Sequence, residues 1–211
     1  KHILKLSILF GGASFEHEIS IVSAITVKEK LSGLKLNFIF CDGDHQFYLI
    51  DSSKMKATTF SKSEHKKMPK LILSDGGFVQ KSMFGSMEHR DVVLNLIHGA
   101  DGEDGTIASL LDFYAIKYIG PRVDASIFSY DKRYTKYLCA ARGVRSVKYE
   151  TQKVNEHKNM SLEYPVIIKP ASLGSSIGVS VVKEEHNLDY ALDSAFEYDD
   201  NVIIEPFLVG V

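Results

Sequence analysis

The stretch Pro165-Val-Ile-Ile-Lys-Pro-Ala-Ser-Leu-Gly-Ser-Ser-Ile-Gly-Val-Ser-Val-Val-Lys183 decides the fold of the second half of this chain. An apolar run ends in Lys169, a loop rich in glycine and serine follows, and an alternating run covers residues 178–182. This pattern predicts a strand, a tight loop and a second strand. Gly174 and Gly178 allow the loop to take positive φ angles and to pack closely.

The loop carries groups that suit a phosphate. Backbone N–H groups, the hydroxyls of Ser175 and Ser176 and the ammonium of Lys169 would surround an anion. A P-loop or a Rossmann loop leads into a helix, whereas the branched residues after Gly178 predict a strand. The pattern therefore favours folds in which ATP is clasped between sheets. An ordinary hairpin with a small polar turn is the alternative, and these residues alone leave both open.

Composition excludes several classes of protein. The 211 residues, 45% hydrophobic and 25% charged, are typical of a soluble globular protein of one large or two small domains. A formal net charge of −2 gives no electrostatic footprint for nucleic acid. No apolar run approaches the ~20 residues of a membrane span, so we expect no membrane association. Cys41 and Cys139 lack metal or redox spacing and are expected to be buried free thiols, which fits the cytoplasm.

The first half of the chain predicts an open, parallel α/β sheet. Leu4 to Phe10 reads as a buried strand, Ser20 as the cap of a helix, and residues 36–41 as the next strand. Residues 47–50 and 92–97 predict further strands, and residues 74–77 the turn of a hairpin. The lysine-rich residues 51–70 are expected to be a solvated surface segment. Gly120-Pro121 predicts a boundary between a domain of residues 1–121 and a second of residues 122–211.

The second domain is expected to begin with one long helix, residues 124–142, and residues 150–163 are expected to be a polar loop or weakly helical. After the strand–loop–strand, residues 185–196 predict a helix with one apolar face, and residues 202–205 a final strand.

Three side chains in the first domain are candidates for a binding site at the carboxyl ends of strands. Glu16 follows the glycine turn after the first strand, where a carboxylate pairs with a substrate ammonium; an acid that only complements the helix dipole is the alternative, and Glu18 fits that better. His98 opens the segment His98-Gly-Ala-Asp-Gly-Glu-Asp-Gly105, whose acids do not match an EF-hand. We expect Glu103 to orient His98, although a structural histidine stays open.

Two further candidates lie in the second domain. Glu205 ends an apolar strand beside Phe207 and Leu208, an arrangement that suits an adenine pocket in which the carboxylate accepts the exocyclic amine. Lys132 lies on a predicted helix, where a lysine is usually solvated.

Taken together, these segments resemble the D-alanine–D-alanine ligases of the ATP-grasp superfamily. The resemblance runs from Leu6 to the end of the sequence, and the order and spacing of its motifs make it specific. They are Phe10-Gly-Gly-Ala-Ser-Phe-Glu16-His-Glu-Ile-Ser20, His98 to Gly105, Gly120-Pro121, Asp131-Lys132, Lys169-Pro-Ala-Ser-Leu-Gly-Ser175-Ser176-Ile-Gly178 and Ile204-Glu205.

The resemblance implies a fold, a reaction and a set of roles. The fold is a Rossmann-like, pre-ATP-grasp substrate domain followed by the first α+β subdomain of an ATP-grasp fold. The reaction joins two D-alanines through a D-alanyl phosphate, with ATP and Mg²⁺ (or Mn²⁺), for peptidoglycan synthesis, in a homodimer. Glu16 and Ser175 are implied as catalytic. Glu16, His98 and Glu103 would bind substrate, and Lys132, Lys169, Gly174, Ser175, Ser176, Glu205, Phe207 and Leu208 would bind ATP.

The sequence departs from the family pattern in two ways. Family members often carry lysine after the adenine-site glutamate, but Pro206 stands there and has no N–H to donate. The family's third region, with its flexible loop, transition-state arginine and magnesium ligands, is not matched, so we expect these 211 residues alone to be inactive and to hold no metal. A D-lactate- or D-serine-accepting ligase and a non-catalytic nucleotide-binding module remain the alternatives.

Overall fold

The computed structural model describes residues 5–83, 85–156 and 160–210. Its backbone divides into two compact units, one ending at Ser126 and the other starting at Ile127. The elements of the first unit are β1 (Lys5–Gly11), α1 (His17–Lys30), β2 (Lys35–Cys41), β3 (Phe47–Ile50), α2 (Ala57–Ser61), β4 (Lys70–Ser74), β5 (Gly77–Ser82), β6 (Gly85–His89), β7 (Val92–Asn95), α3 (Thr106–Phe113), β8 (Tyr118–Ile119) and the first half of α4 (Val123–Tyr130).

One eight-stranded sheet organises this unit, in the order β6-β5-β4-β3-β2-β1-β7-β8. Strands β2, β1, β7 and β8 are mutually parallel, while β3, β4, β5 and β6 each add antiparallel to the edge beyond β2. The prediction of an open parallel sheet is therefore wrong for half of the strands, and the fold is mixed α/β. The connections into β3, β5 and β6 are too short for the crossover that a parallel neighbour needs, whereas residues 51–69 join β3 to β4.

Alternation along the central strand builds a core on both faces of the sheet. Leu6, Ile8 and Phe10 of β1 pack with buried residues of α1 and α2, and Leu9 packs on the other face with Ile107 and Leu111 of α3. This double burial fixes the carboxyl ends of β1 and β7 side by side, since the two strands pair from Leu6 to Leu9.

The structure corrects the expectation that residues 51–70 form a solvated segment. Two short 3₁₀ helices and α2 occur there, and they bury Met55, Thr59, Phe60 and His65. The ring of Phe60 lies 5.4 Å from that of Phe10. A few apolar residues among many lysines are enough to close one face of the core.

The second unit is a four-stranded antiparallel sheet covered by helices. Its elements are α5 (Lys132–Ala141), β9 (Glu150–Lys153), β10 (Val166–Pro170), β11 (Ser180–Val182), α6 (Leu188–Phe196) and β12 (Asn201–Pro206), with strand order β11-β10-β12-β9. Ala191, Leu192 and Ala195 of α6 pack on the apolar face of this sheet. The predicted strand–loop–strand is confirmed as β10, its loop and β11, which pair antiparallel.

Two expectations for this unit are wrong. The single helix over residues 124–142 is two helices that break at Asp131, because the Asp131 side chain caps α5 by accepting from the Arg133 N–H at 2.8 Å. The polar loop of residues 150–163 contains β9, which pairs with β12; residues 157–159 of that range, like Leu4 of the first strand, lie outside the described residues. Within the described ranges, no helix is both long and apolar enough to cross a membrane.

Candidate functional site

The turn from β1 into α1 brings Glu16 to the carboxyl edge of the parallel strands. The Ser14 hydroxyl accepts from the Glu16 N–H at 3.1 Å and donates to the His98 carbonyl at 2.6 Å, so it links this turn to the chain after β7. Glu16 is buried, with 8% of its surface exposed. Buried carboxylates need partners, and this one is held at a place where strand ends converge.

Ser20 holds the same two segments together. Its hydroxyl accepts from the Gly11 N–H at 2.8 Å and donates to the Leu96 carbonyl at 2.6 Å. The predicted role of Ser20 as a helix cap is wrong, because α1 starts at His17 and Ser20 lies within its first turn, facing the sheet. Helix α1 is thus attached to the ends of β1 and β7 by a fully buried side chain.

Two side chains approach the ring of His98, and one of them lies within hydrogen-bond distance. Its Nε2 is 3.0 Å from the Ser23 hydroxyl, and its Nδ1 is 3.8 Å from Glu103 Oε1. Glu103 Oε2 also accepts from the Gly99 N–H at 3.2 Å. The structure therefore brings together the three predicted residues of this site. Sequence reasoning missed Ser14 and Ser23, although the spacing of Ser20 and Ser23 puts both hydroxyls on one side of α1.

Gly99 makes the close approach of Glu16 possible. It adopts a φ of +69°, and a Cβ added there would lie 2.8 Å from Glu16 Oε2 and 3.0 Å from the Ser14 hydroxyl oxygen. Any larger residue would be strained by its φ and would push against the carboxylate.

The second unit presents a loop with unusual backbone conformation between β10 and β11. Three residues adopt the left-handed region: Ser175 (φ 55°), Ser176 (φ 59°) and Gly178 (φ 68°). Gly174 was expected to adopt a positive φ and does not. Gly174, Ser175 and Ser176 are exposed. The Ile177 N–H donates to the Gly174 carbonyl at 3.2 Å and closes a turn across the two serines.

Lys132 anchors the start of this loop. Its ammonium donates to the carbonyls of Pro170 at 2.9 Å, Ala171 at 3.3 Å and Leu173 at 2.7 Å. Burial, and then the positive charge of Lys169, lower the pKa of Lys132. The family resemblance implied that Lys132 is a phosphate ligand. In the structure it lies at the start of the loop, where its ammonium donates to three backbone carbonyls.

Glu205 lies at the end of β12 between two ammonium groups. Lys136 Nζ is 2.7 Å from its Oε1, and Lys169 Nζ is 2.6 Å from its Oε2. Burial alone would raise the pKa of Glu205, but its hydrogen bonds to Lys136 and Lys169 outweigh burial and hold the pKa below its usual range. The carboxylate is ionised and fixed. Sequence reasoning missed Lys136, whose position four residues after Lys132 is the available signal.

Phe207 and Leu208 follow β12 at the surface of this unit. Phe207 donates its N–H to the Pro165 carbonyl at 2.9 Å, and both side chains are exposed, Leu208 by 66%. Pro206 pairs with Val166 as the last residue of β12, where it has no N–H to donate. Two exposed apolar side chains thus follow Glu205 and Pro206 in the chain.

Comparisons with known proteins agree with this architecture. The family model described as "D-ala D-ala ligase N-terminus" matches residues 5–121, and "D-ala D-ala ligase C-terminus" matches residues 133–211. The D-alanine–D-alanine ligase of Sulfurimonas denitrificans is 71% identical over 208 residues, which are 99% of this chain and 60% of that protein. The ligase of Sulfurovum sp. is 56% identical over 209 residues, again 60% of that protein.

Solved structures give the same result. The crystal structure of the D-alanine–D-alanine ligase from Helicobacter pylori has 48% identity and a TM-score of 0.93, and the match covers 99% of this chain and 65% of that one. The VanG D-Ala:D-Ser ligase from Enterococcus faecalis has 28% identity and a TM-score of 0.81 and is covered to 64%. The mixed α/β architecture described above is that of these ligase structures. The chain belongs to the D-alanine–D-alanine ligase family, and it spans about 60% of the length of the curated relatives it matches.

Proposed function

We propose that the polypeptide to which this chain belongs is an ATP-dependent, ADP-forming ligase that joins two D-alanines into a precursor of peptidoglycan. The family match supports the class of reaction. The observation that carries the proposal for this chain is the site of Glu16, His98 and Glu103, built on two adjacent parallel strand ends. Residues 1–121 would bind the first substrate, and residues 122–211 would form an ATP-grasp subdomain that binds the nucleotide.

The first-substrate site has groups for both ends of an amino acid. The buried carboxylate of Glu16 would pair with the ammonium of the first D-alanine, and His98 would lie near its carboxylate. Ser23, within hydrogen-bond distance of the imidazole, and Glu103, 3.8 Å from it, would orient the ring of His98. Ser175 of the loop is proposed as a catalytic residue, as the resemblance to the family implies.

The nucleotide site would use the loop between β10 and β11 as a flap over the phosphates. Lys169, Gly174, Ser175 and Ser176 would contact phosphate oxygens directly, and Lys132 would contribute its positive charge while it anchors the flap. Glu205, with the exposed Phe207 and Leu208, would line the adenine side. Bound this way, the flap would exclude water that would otherwise hydrolyse the acylphosphate.

The reaction would proceed in two displacements. A carboxylate oxygen of the first D-alanine attacks the γ-phosphorus, the bond to the β-phosphate oxygen breaks, and ADP leaves. The amine of the second D-alanine then attacks the acyl carbon, and phosphate leaves the tetrahedral intermediate as the amine loses its proton. Positioning and charge neutralisation would supply most of the acceleration. Mg²⁺ (or Mn²⁺) supplies charge neutralisation at the phosphates when bound. Within the described ranges no group of three or more His, Cys, Asp or Glu side chains can hold a metal, so we assign it no ligand here.

The second substrate is a choice between D-alanine, D-lactate and D-serine. A D-serine ligase, VanG, shares this fold at 28% identity, so the architecture described here is common to more than one acceptor. The 71% identity to a D-alanine–D-alanine ligase supports D-alanine. We further propose a cytoplasmic homodimer that uses no nucleic-acid partner.

The test is ADP release by the full-length polypeptide with ATP and Mg²⁺, measured with and without D-alanine. We expect release to depend on D-alanine and not to respond to L-alanine. ATP binding without D-alanine-dependent release would refute the ligase reaction and favour a non-catalytic nucleotide-binding module.

A further inference from the structure

The cluster of Lys136, Glu205 and Lys169 contains two positive charges and one negative charge. Each oxygen of the Glu205 carboxylate accepts from a different ammonium, at 2.7 and 2.6 Å. Glu205 is 9% exposed. A carboxylate this buried is costly without a partner, but a single ammonium is enough to balance its charge. Only one of the two lysines is therefore required to balance the charge of Glu205.

The two lysines differ in how firmly they are held. The Lys136 ammonium also donates to the Val147 carbonyl at 3.1 Å and lies 4.9 Å from the centre of the Tyr149 ring, and its side chain is 11% exposed. An ammonium has three N–H groups, and these three partners engage all of them. Among the described residues, the Lys169 ammonium has Glu205 alone as a hydrogen-bond partner, and its side chain is 27% exposed.

Lys169 is therefore the member of the cluster that has N–H groups to offer to another anion. If Lys169 left Glu205 without Lys136 in place, a buried carboxylate would remain uncompensated, and the departure would be opposed. With Lys136 in place, a balanced pair remains behind. The same pair keeps the end of β12 in position, because Lys136 ties Glu205 to α5 and to the segment around Val147.

We propose that Lys136 is a positioning residue of the nucleotide site: it is the permanent counter-ion of Glu205, and it frees the Lys169 ammonium to move from that carboxylate to a phosphate oxygen of the bound nucleotide. This inference rests on the proposed ATP-binding function of the second unit. It assigns Lys136 no contact with substrate, and its effect passes through Glu205 and Lys169.

The test measures binding of β,γ-methylene ATP with Mg²⁺ to the full-length polypeptide by isothermal titration calorimetry. Lys136→Met removes the charge and keeps the apolar stem, Lys136→Arg keeps the charge, and Lys148→Met is the control at an exposed lysine of the neighbouring segment. We expect Lys136→Met to weaken binding by about ten- to hundredfold, because an ion-paired hydrogen bond is lost. Lys136→Arg should retain more affinity than Lys136→Met, and Lys148→Met should match the wild type.

Unchanged binding in Lys136→Met, or equal losses in the Met and Arg variants, would overturn the inference. A double-mutant cycle with Glu205→Gln separates the positioning role from simple destabilisation. Since Lys136 acts through Glu205, the double variant should bind no more weakly than Glu205→Gln alone. That comparison also holds if Lys136→Met does not fold, because the double variant leaves no unpaired carboxylate and the Lys169 side chain is 27% exposed. A further loss in the double variant would contradict the proposal.

The same data separate this inference from the ligase proposal. Analogue binding by the wild type without D-alanine-dependent ADP release would refute the ligase reaction. The double-mutant cycle with Glu205→Gln would then still test the role of Lys136. Normal ligase activity with unaltered binding in Lys136→Met would overturn the inference alone. Absence of analogue binding by the wild type would overturn both.

Discussion

Replacing Ser20 by Ala tests how the substrate site is built. The Ser20 hydroxyl bridges the Gly11 N–H and the Leu96 carbonyl, and the serine is fully buried. Loss of the hydroxyl leaves the Gly11 N–H without its acceptor, at about 1–3 kcal/mol, and takes one donor from a partly buried carbonyl, at about 1 kcal/mol. Alanine regains about 0.5 kcal/mol of helix propensity. We therefore expect the free energy of unfolding to fall by about 1.5–3.5 kcal/mol.

The assay is urea unfolding of the full-length polypeptide, combined with hydrogen exchange at the Gly11 amide. The control is Thr26→Ala on the same helix, where the hydroxyl only donates to the Val22 carbonyl one turn back and the contact is exposed. This control should stay within about 0.5 kcal/mol of the wild type. A loss in Ser20→Ala no larger than in the control, or unchanged protection of the Gly11 amide, would refute the bridging role.

Three further predictions concern binding, pH and the flap. Glu16→Gln in the full-length polypeptide should raise the KM for D-alanine at least tenfold with little change in the KM for ATP, because it removes the ammonium's counter-ion; the exposed Glu18→Gln is its control, and equal losses for both substrates would contradict the role. Burial lowers the pKa of His65, so the folded protein favours the neutral imidazole. The free energy of unfolding should therefore keep this contribution above about pH 6.5 and lose it as the pH falls below that value. His65→Phe should reduce the difference in unfolding midpoint between pH 7.5 and 5.5, and an unaltered difference would argue against His65 as its source. Lys132→Met should speed hydrogen exchange over residues 171–179, because three carbonyls lose their donor, whereas unchanged exchange would mean that the flap is anchored elsewhere.

Strands buried on both faces were the most predictable part of the fold. The apolar runs at β1, β2, β10 and β12 are dense enough that burial alone defines them. The polar strand β9 could not be found this way, because its residues form a strand only through pairing with β12. Parallel or antiparallel pairing in the first sheet likewise depends on partners distant in the sequence, which periodicity does not reveal.

The candidate site was predictable in its charged residues and less so in their supports. Glu16 follows a glycine turn and His98 precedes Gly99, each shortly after an apolar strand, which is a local signal. Ser14 and Ser23 act on His98 from more than 70 residues away in the chain, so only the folded sheet brings them together. The break at Asp131 was missed for a different reason, since an aspartate inside an amphipathic run reads as solvent-exposed until its capping hydrogen bond is known.

The most direct test of the account is to identify the product that the full-length polypeptide forms from ATP and D-alanine, by mass spectrometry with simultaneous measurement of ADP. The account predicts one D-alanyl-D-alanine for each ADP, with both lost together in Glu16→Gln at limiting D-alanine. ADP formed without the dipeptide, or dipeptide formation that is indifferent to Glu16, would contradict it.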